Sequence, residues 1–120
     1  MSLSRQLTAI MFADIAGYTA IMQEDETLAL ELRHKLQKKL EEEVTVHNGR
    51  VLEFKGDGAL CIFTSTIEAV SAALALQLDM QINPVVPLRV GMHTGDVVVE
   101  ENNIYGDGVN IASRLSLIHI

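Results

Sequence analysis

Hydrophobic residues open the chain as a nearly unbroken run, Leu7-Thr8-Ala9-Ile10-Met11-Phe12-Ala13, which stops at Asp14. A short continuous apolar run reads as a central strand covered on both faces, since alternation would mark a strand with one face in water. After a small turn at Ile15-Ala16-Gly17-Tyr18-Thr19 the period changes. Leu28, Leu32, Leu36, Leu40 and Val44 recur every fourth residue and predict one apolar stripe on a long helix reaching about His47. Glu31, Arg33, Lys35, Lys38, Lys39 and the acids at 41–43 lie between them and read as its solvated face. Asn48-Gly49 predicts the helix end, because both residues tolerate the left-handed conformation that closes helices.

Residues 50–55 and 59–64 read as two strands joined by Gly56-Asp57-Gly58, where an Asp-Gly pair between apolar runs signals a hairpin. Ser65-Thr66-Ile67-Glu68 has the capping-box pattern that opens a helix. Its expected buried face is Ile67, Val70, Leu74 and Leu78, and Asn83-Pro84 with Pro87 ends it. Residues 88–92 and 97–100 read as strands flanking a turn at Thr94-Gly95-Asp96, and a third helix is expected to start near Gly108. Strand, helix, hairpin, helix, strand is the ferredoxin-like split βαβ (βαββαβ) order. It predicts an α+β domain with a sheet and helices on one face. Nucleotide polymerases use the same layout as a metal-binding palm, so function has to be argued from a site.

Composition narrows the options. At 120 residues and 48% apolar the chain is long enough for one domain with its own core. A net charge of −7 argues against a nucleic-acid binder, which needs clustered Lys and Arg, but is compatible with one nucleotide whose phosphates are offset by Mg²⁺. Cys61 is the sole cysteine, so no intrachain disulfide forms, and its place in the apolar run 59–63 predicts a buried, inert thiol. No apolar stretch approaches the ~20 residues of a membrane helix. The first six residues lack the pattern of a signal peptide and read as an N-terminal leader, 1–6. A cytoplasmic domain is the resulting expectation.

Two carboxylates carry the chemistry. Asp14 ends the first strand and Asp57 sits at the hairpin tip, and the predicted topology lays that strand beside the hairpin. Converging carboxylates repel unless a cation lies between them, and hard oxygen donors favour Mg²⁺ or Mn²⁺. Small residues at Ala16-Gly17 lead into a helix whose first N–H groups would seat an anion. Judged separately, Asp14 reads first as a helix cap and Asp57 first as the turn residue of a hairpin.

Four segments taken together resemble a known family. Phe12-Ala13-Asp14-Ile15-Ala16-Gly17-Tyr18-Thr19 resembles the first metal motif of class III adenylyl/guanylyl cyclases, and Gly56-Asp57-Gly58 resembles the second. Gly91-Met92-His93-Thr94-Gly95-Asp96-Val97 is similar to the family's next strand-turn-strand. Tyr105-Gly106-Asp107-Gly108-Val109-Asn110-Ile111-Ala112-Ser113-Arg114 is similar to the segment carrying the transition-state residues. The resemblance runs over 7–115, read as a partial catalytic domain. It implies a phosphorus-oxygen lyase that converts ATP (or GTP) to a 3′,5′-cyclic nucleotide and pyrophosphate in intracellular signalling. Asp14 and Asp57, with the Ile15 carbonyl, would hold two Mg²⁺ (or Mn²⁺) ions. One ion would acidify the ribose 3′-hydroxyl for in-line attack on the α-phosphorus, and pyrophosphate would leave with the other. Ala16, Gly17, Tyr18 and Thr19 would line the nucleotide. Asn110 would orient the ribose and Arg114 would stabilise charge on the α-phosphate. The family works as head-to-tail dimers, so a homodimer with active sites at its interface is implied, with Asn110 and Arg114 supplied by the second subunit.

Base selection is open. The family's adenylyl members usually carry Lys where this chain has Glu53 and often Asp where it has Asn103. Glu53 could accept from guanine N1–H and N2, and Asn103 could donate to O6, which suits GTP. A one-residue bulge near Lys55 would change which side chain faces the base, and irregular members of this kind are more often adenylyl cyclases. The altered selectors also suit an alternative, a catalytically degenerate domain that binds nucleotide and dimerises as a regulatory module. His93 reads as a structural histidine, Asp96 and Asp107 as turn and cap residues, and His34 and His47 as residues of the solvated helix. Residues past Arg114 lack the further strands of the family, and Leu115-Ser116-Leu117-Ile118-His119-Ile120 looks like translated sequencing adapter. Residues 116–120 are therefore read as a non-native tail.

Overall fold

The computed structural model describes the backbone of residues 3–100 and 103–105 and the side chains of residues 8–94. In chain order the elements are β1 (Leu3–Ile15), α1 (Tyr18–Glu24), α2 (Glu26–Val46), β2 (Gly49–Lys55), β3 (Gly58–Phe63), α3 (Thr66–Met80), β4 (Leu88–Glu100) and β5 (Asn103–Tyr105). They form one sheet in the order β2-β3-β1-β4-β5, every neighbouring pair antiparallel. The inner order β4-β1-β3-β2 is the ferredoxin-like arrangement expected from the order of elements.

Both long strands exceed their expected lengths. β1 begins at Leu3, so pairing reaches into the segment read as leader. β4 runs straight through Thr94-Gly95-Asp96, where the local sequence predicts a turn, with Gly95 opposite Thr8 and Asp96 opposite Leu7. A matching 13-residue partner offers each backbone N–H and C=O a place in the ladder, and that outweighs the local preference of Gly and Asp for a turn.

The long helix is two helices. Asp25 adopts an extended conformation, and its carboxylate accepts from the Leu28 N–H at 3.0 Å, so α2 starts afresh with its own N-cap. Leu32, Leu36, Leu40 and Val44 are buried as the stripe predicts. Its first position is taken by Ala29 instead of Leu28, which is 38% exposed. Asn48 has the positive φ expected at the helix end, 60°. Gly49 is required beside it, since a Cβ there would stand 2.4 Å from the Phe63 ring.

α3 buries the opposite stripe from the one expected. Ser65 Oγ accepts from the Glu68 N–H at 3.1 Å, as a capping residue should. The buried residues, however, are Ala69, Ala72, Ala73, Leu76 and Met80, whereas Ile67, Val70, Leu74 and Leu78 are 78%, 41%, 50% and 66% exposed. The helix carries two apolar stripes, and the alanine-rich one lets its backbone settle close onto the sheet. Lys35, read as solvated, instead donates from Nζ to the carbonyls of Ile82 and Pro84, the latter at 2.8 Å. It thereby ties α2 to the loop between α3 and β4.

Among the described residues the helix layer covers one face only. Ala9, Met11, Ala13 and Ile15 of β1, Cys61 and Phe63 of β3, and Leu88 and Val90 of β4 share a core with the buried residues of α2 and α3. Side chains alternate across a strand, so Ile10, Phe12 and Asp14 belong to the other, helix-free face. Cys61 is fully buried, as expected.

Candidate metal and nucleotide site

One cross-strand row builds the site. Asp14 is opposite Gly58 of β3 on one side and opposite Arg89 of β4 on the other. Asp57 immediately precedes Gly58. It occupies the two-residue turn of the hairpin with Gly56, whose φ of +59° suits glycine. The Asp57 carboxylate reaches back over β1, where its Oδ2 accepts from the Ile15 N–H at 3.1 Å. The Asp57 carboxylate thus meets the backbone one residue past Asp14, where β1 leaves the sheet.

Gly58 lets the strands approach this closely. A Cβ at position 58 would lie 3.0 Å from the Ala13 carbonyl oxygen and 3.1 Å from Asp14 Cβ.

Sequence reasoning misses Arg89, which counts there only as one residue of a strand. Its Nε donates to Asp14 Oδ1 at 2.9 Å and its Nη2 to Oδ2 at 3.0 Å, a bidentate pair. The Asp14 side chain is 13% exposed and that of Arg89 39%. Hydrogen bonding to Asp14 raises the guanidinium pKa above its ordinary value; burial opposes this, and the charges of Asp14 and Asp57 add to the rise. The signal for Arg89 is register, and register appears only once β1 and β4 are paired.

Around this row the expected nucleotide residues divide. Gly17 precedes α1 in the left-handed conformation, φ 69°, and makes no side-chain cap, so the first turn of α1 is left without one. Gly17 and Thr19 are exposed. The Ala16 N–H is already committed, donating to the Pro87 carbonyl at 2.7 Å. Tyr18, read as lining the nucleotide, packs its ring against the core, with its hydroxyl buried and without a hydrogen-bond partner among the described residues.

Glu53 is exposed on edge strand β2, just past a register shift between Val51 and Glu53, the bulge considered from the sequence. Asn103 lies on β5 at the opposite edge of the sheet, so the two residues expected to select the base are not brought together within one chain. Asn110 and Arg114 lie outside the described residues, as does Asp107. His93 is half-buried in β4 opposite Ile10, and His47 donates through Nδ1–H to the Glu43 carbonyl, 2.8 Å away, at the end of α2. An open cleft of about 260 Å³ lined by Thr8, Asn48, Gly49, Arg50, Ile62, Phe63 and Thr64 lies at the far end of β1 and β3, away from both acids.

The donor set suits a hard divalent ion. No group of three or more His, Cys, Asp or Glu gathers among the described residues, which disfavours a closed all-protein cage. Mg²⁺ characteristically uses one or two carboxylates and fills its remaining positions with water and substrate phosphates. In this structure a cation, the Arg89 guanidinium, already answers the charge of these acids.

Known proteins place the chain in a family. The family described as adenylate and guanylate cyclase catalytic domain matches residues 3–118. A putative adenylate cyclase 3 of Rhizobium meliloti is 40% identical over 98% of this chain and 21% of its own length. An adenylate cyclase of Streptomyces coelicolor is 33% identical over 92% of this chain and 29% of its own. The chain therefore spans less than a third of these curated relatives. Among solved structures, an adenylate/guanylate cyclase/hydrolase from Silicibacter pomeroyi is 34% identical with a TM-score of 0.79, over 94% of this chain and 70% of that one. The adenylyl cyclase CyaB of P. aeruginosa shares the fold with a TM-score of 0.85 at 20% identity, over 99% of this chain and 76% of that one. With the acid row, the hairpin and the sheet order all in place, the chain belongs to the adenylate and guanylate cyclase catalytic-domain family.

Proposed function

We propose that this domain is a purine nucleotide cyclase, forming a 3′,5′-cyclic nucleotide and pyrophosphate from ATP (or GTP) in intracellular signalling. The observation that carries the reading is the hydrogen bond that holds the Asp57 carboxylate at the Ile15 N–H, one residue past Asp14, which faces Arg89 across the strands. Asp14, Asp57 and the Ile15 carbonyl would hold two Mg²⁺ or Mn²⁺ ions. When bound, these supply Lewis-acid activation of the ribose 3′-hydroxyl and neutralise the departing pyrophosphate.

The chain's own residues do the rest. The Ile15 N–H fixes the Asp57 carboxylate toward β1, so one backbone group orients the acid at the hairpin tip. The exposed Gly17 and Thr19, at the uncapped start of α1, would meet the phosphates. Glu53, exposed on β2, would face the base. Asn110 would orient the ribose and Arg114 would offset charge at the α-phosphate, both from the second subunit of a head-to-tail homodimer. That arrangement places the reaction at the interface. No helix among the described residues is long and apolar enough to cross a membrane, and a cytoplasmic location is part of the proposal.

The test is cyclic nucleotide formation by the purified chain with Mn²⁺ and either ATP or GTP. Product is expected from wild type and not from Asp57→Ala. Nucleotide binding without product from either purine would instead support a regulatory module. Mixing Asp57→Ala with Arg114→Ala checks the shared site. Two inactive variants should regain part of the activity together, and a mixture as inactive as its components argues against sites built from two chains.

A further inference from the structure

The bidentate pair between Arg89 and Asp14 has no place in the reaction just proposed, and it uses the oxygens a metal ion would need. Both Asp14 oxygens accept from one guanidinium, at 2.9 and 3.0 Å, and one Asp57 oxygen accepts from the Ile15 N–H at 3.1 Å. The two strands hold Arg89 there, because it faces Asp14 directly in the β1–β4 ladder. The Asp14 side chain is 13% exposed, so little water competes for its oxygens, whereas Arg89 at 39% keeps a route back into solvent. A carboxylate pair with neither metal nor guanidinium beside it would repel itself.

We propose that Arg89 is an internal counter-ion which holds the metal site in its metal-free state and must release Asp14 before a divalent ion can bind. The proposal rests on the reading of Asp14 and Asp57 as metal ligands. Arg89 and the metal are then competitors for one carboxylate, and the affinity of the nucleotide-free protein for metal is set partly by what it takes to break the pair. The arrangement lets the acids stay ionised and the strands stay paired without metal. It also weakens metal binding until something else engages the guanidinium or adds ligands to the ion.

Removing Arg89 should therefore tighten metal binding. A guanidinium that merely positions Asp14 for the ion would give the opposite result. Mn²⁺ binding to the purified chain without nucleotide is measured by titration calorimetry for wild type, Arg89→Gln, Arg89→Lys and Asp57→Ala. A partly exposed bidentate pair has a strength that corresponds to about a fivefold change in affinity, and loss of the neighbouring positive charge acts in the same direction. Arg89→Gln should bind Mn²⁺ at least about fivefold more tightly, and Arg89→Lys, which keeps the charge but loses the fork, should fall between. Melting temperature provides a second readout. Without metal Arg89→Gln should melt below wild type, and saturating Mn²⁺ should raise its melting temperature more than that of wild type. Unchanged or weaker Mn²⁺ binding by Arg89→Gln, with binding still abolished by Asp57→Ala, overturns the counter-ion role and leaves the metal site standing. If wild type and both Arg89 variants all fail to bind Mn²⁺, the metal-site reading fails and the proposal falls with it.

Discussion

Gly58 and Asp14 face each other across the β1–β3 ladder so closely that a Cβ on the glycine would stand 3.1 Å from the Cβ of the aspartate. The same added atom would press on the Ala13 carbonyl oxygen at 3.0 Å. Neither neighbour is the free end of a flexible side chain, so a larger residue must push two strands apart at the acid row. Gly58→Val is expected to lose about 1–3 kcal/mol of stability, as overpacked sites do. It should also weaken Mn²⁺ binding by more than its effect on folding explains. Chemical denaturation and metal titration on the same variant separate the two. A variant with wild-type stability and metal affinity would contradict the close approach.

The helix α3 invites a paired comparison. Leu76 is fully buried between helix and sheet, whereas Leu74, two residues earlier, is 50% exposed. Leu76→Ala should cost about 2–5 kcal/mol through the cavity it leaves. Leu74→Glu should change stability by no more than about 0.5 kcal/mol, the range of ordinary surface changes. Urea midpoints of both variants decide the matter, and a large loss at position 74 would mean that the exposed stripe is covered.

That helix also marks the limit of what is legible in the sequence. The spacing of Ile67, Val70, Leu74 and Leu78 is correct for a buried stripe, and so is the spacing of Ala69, Ala72, Ala73, Leu76 and Met80. Periodicity cannot choose between two apolar stripes on one helix, because the choice depends on how near the sheet the backbone can settle. In α2 the flank opposite the leucines is charged, and there the predicted stripe matches the buried one from Leu32 to Val44. Asp14 and Asp57 are legible because local chemistry places them, one ending an apolar run and the other in a glycine turn. Arg89 is not, since its meaning comes from a partner 75 residues away. The turn expected at Thr94-Gly95-Asp96 fails for the same reason, as a long partner strand decides the backbone there.

Cys61 should be chemically silent in the folded protein. Burial pushes its thiol pKa up to about 12, so almost no thiolate is present at neutral pH. A thiol-reactive disulfide reagent at pH 8 is expected to modify it only as the protein unfolds, at a rate that rises with denaturant. Fast stoichiometric labelling of native protein would refute the placement of β3 under the helices.

The acid pair between α2 and α3 predicts a pH dependence. A hydrogen bond with Asp79 raises the pKa of Glu43 above its ordinary value of 4.5, with burial and the charge of Asp79 acting in the same sense and His47 opposing. The folded state therefore holds this proton more tightly than the unfolded chain does. Its contribution to stability is full below the ordinary carboxylate pKa and is lost as pH rises through the raised one. The contribution is modest because the site is near the surface. Glu43→Gln, which keeps a hydrogen-bond donor toward Asp79 at all pH values, should melt higher than wild type at neutral pH. The difference should shrink as pH falls toward 4, and melting curves that run parallel across that range would exclude the coupling.

The bulge after Val51 leaves Glu53 exposed on the outermost strand, outside the core that helices and sheet share. On the role proposed for Glu53, recognition of the base and folding would fall to different parts of the molecule. If position 53 does meet the base, a lineage carrying this sheet could exchange that side chain, trialling one purine after another, while the packed interior registers little change.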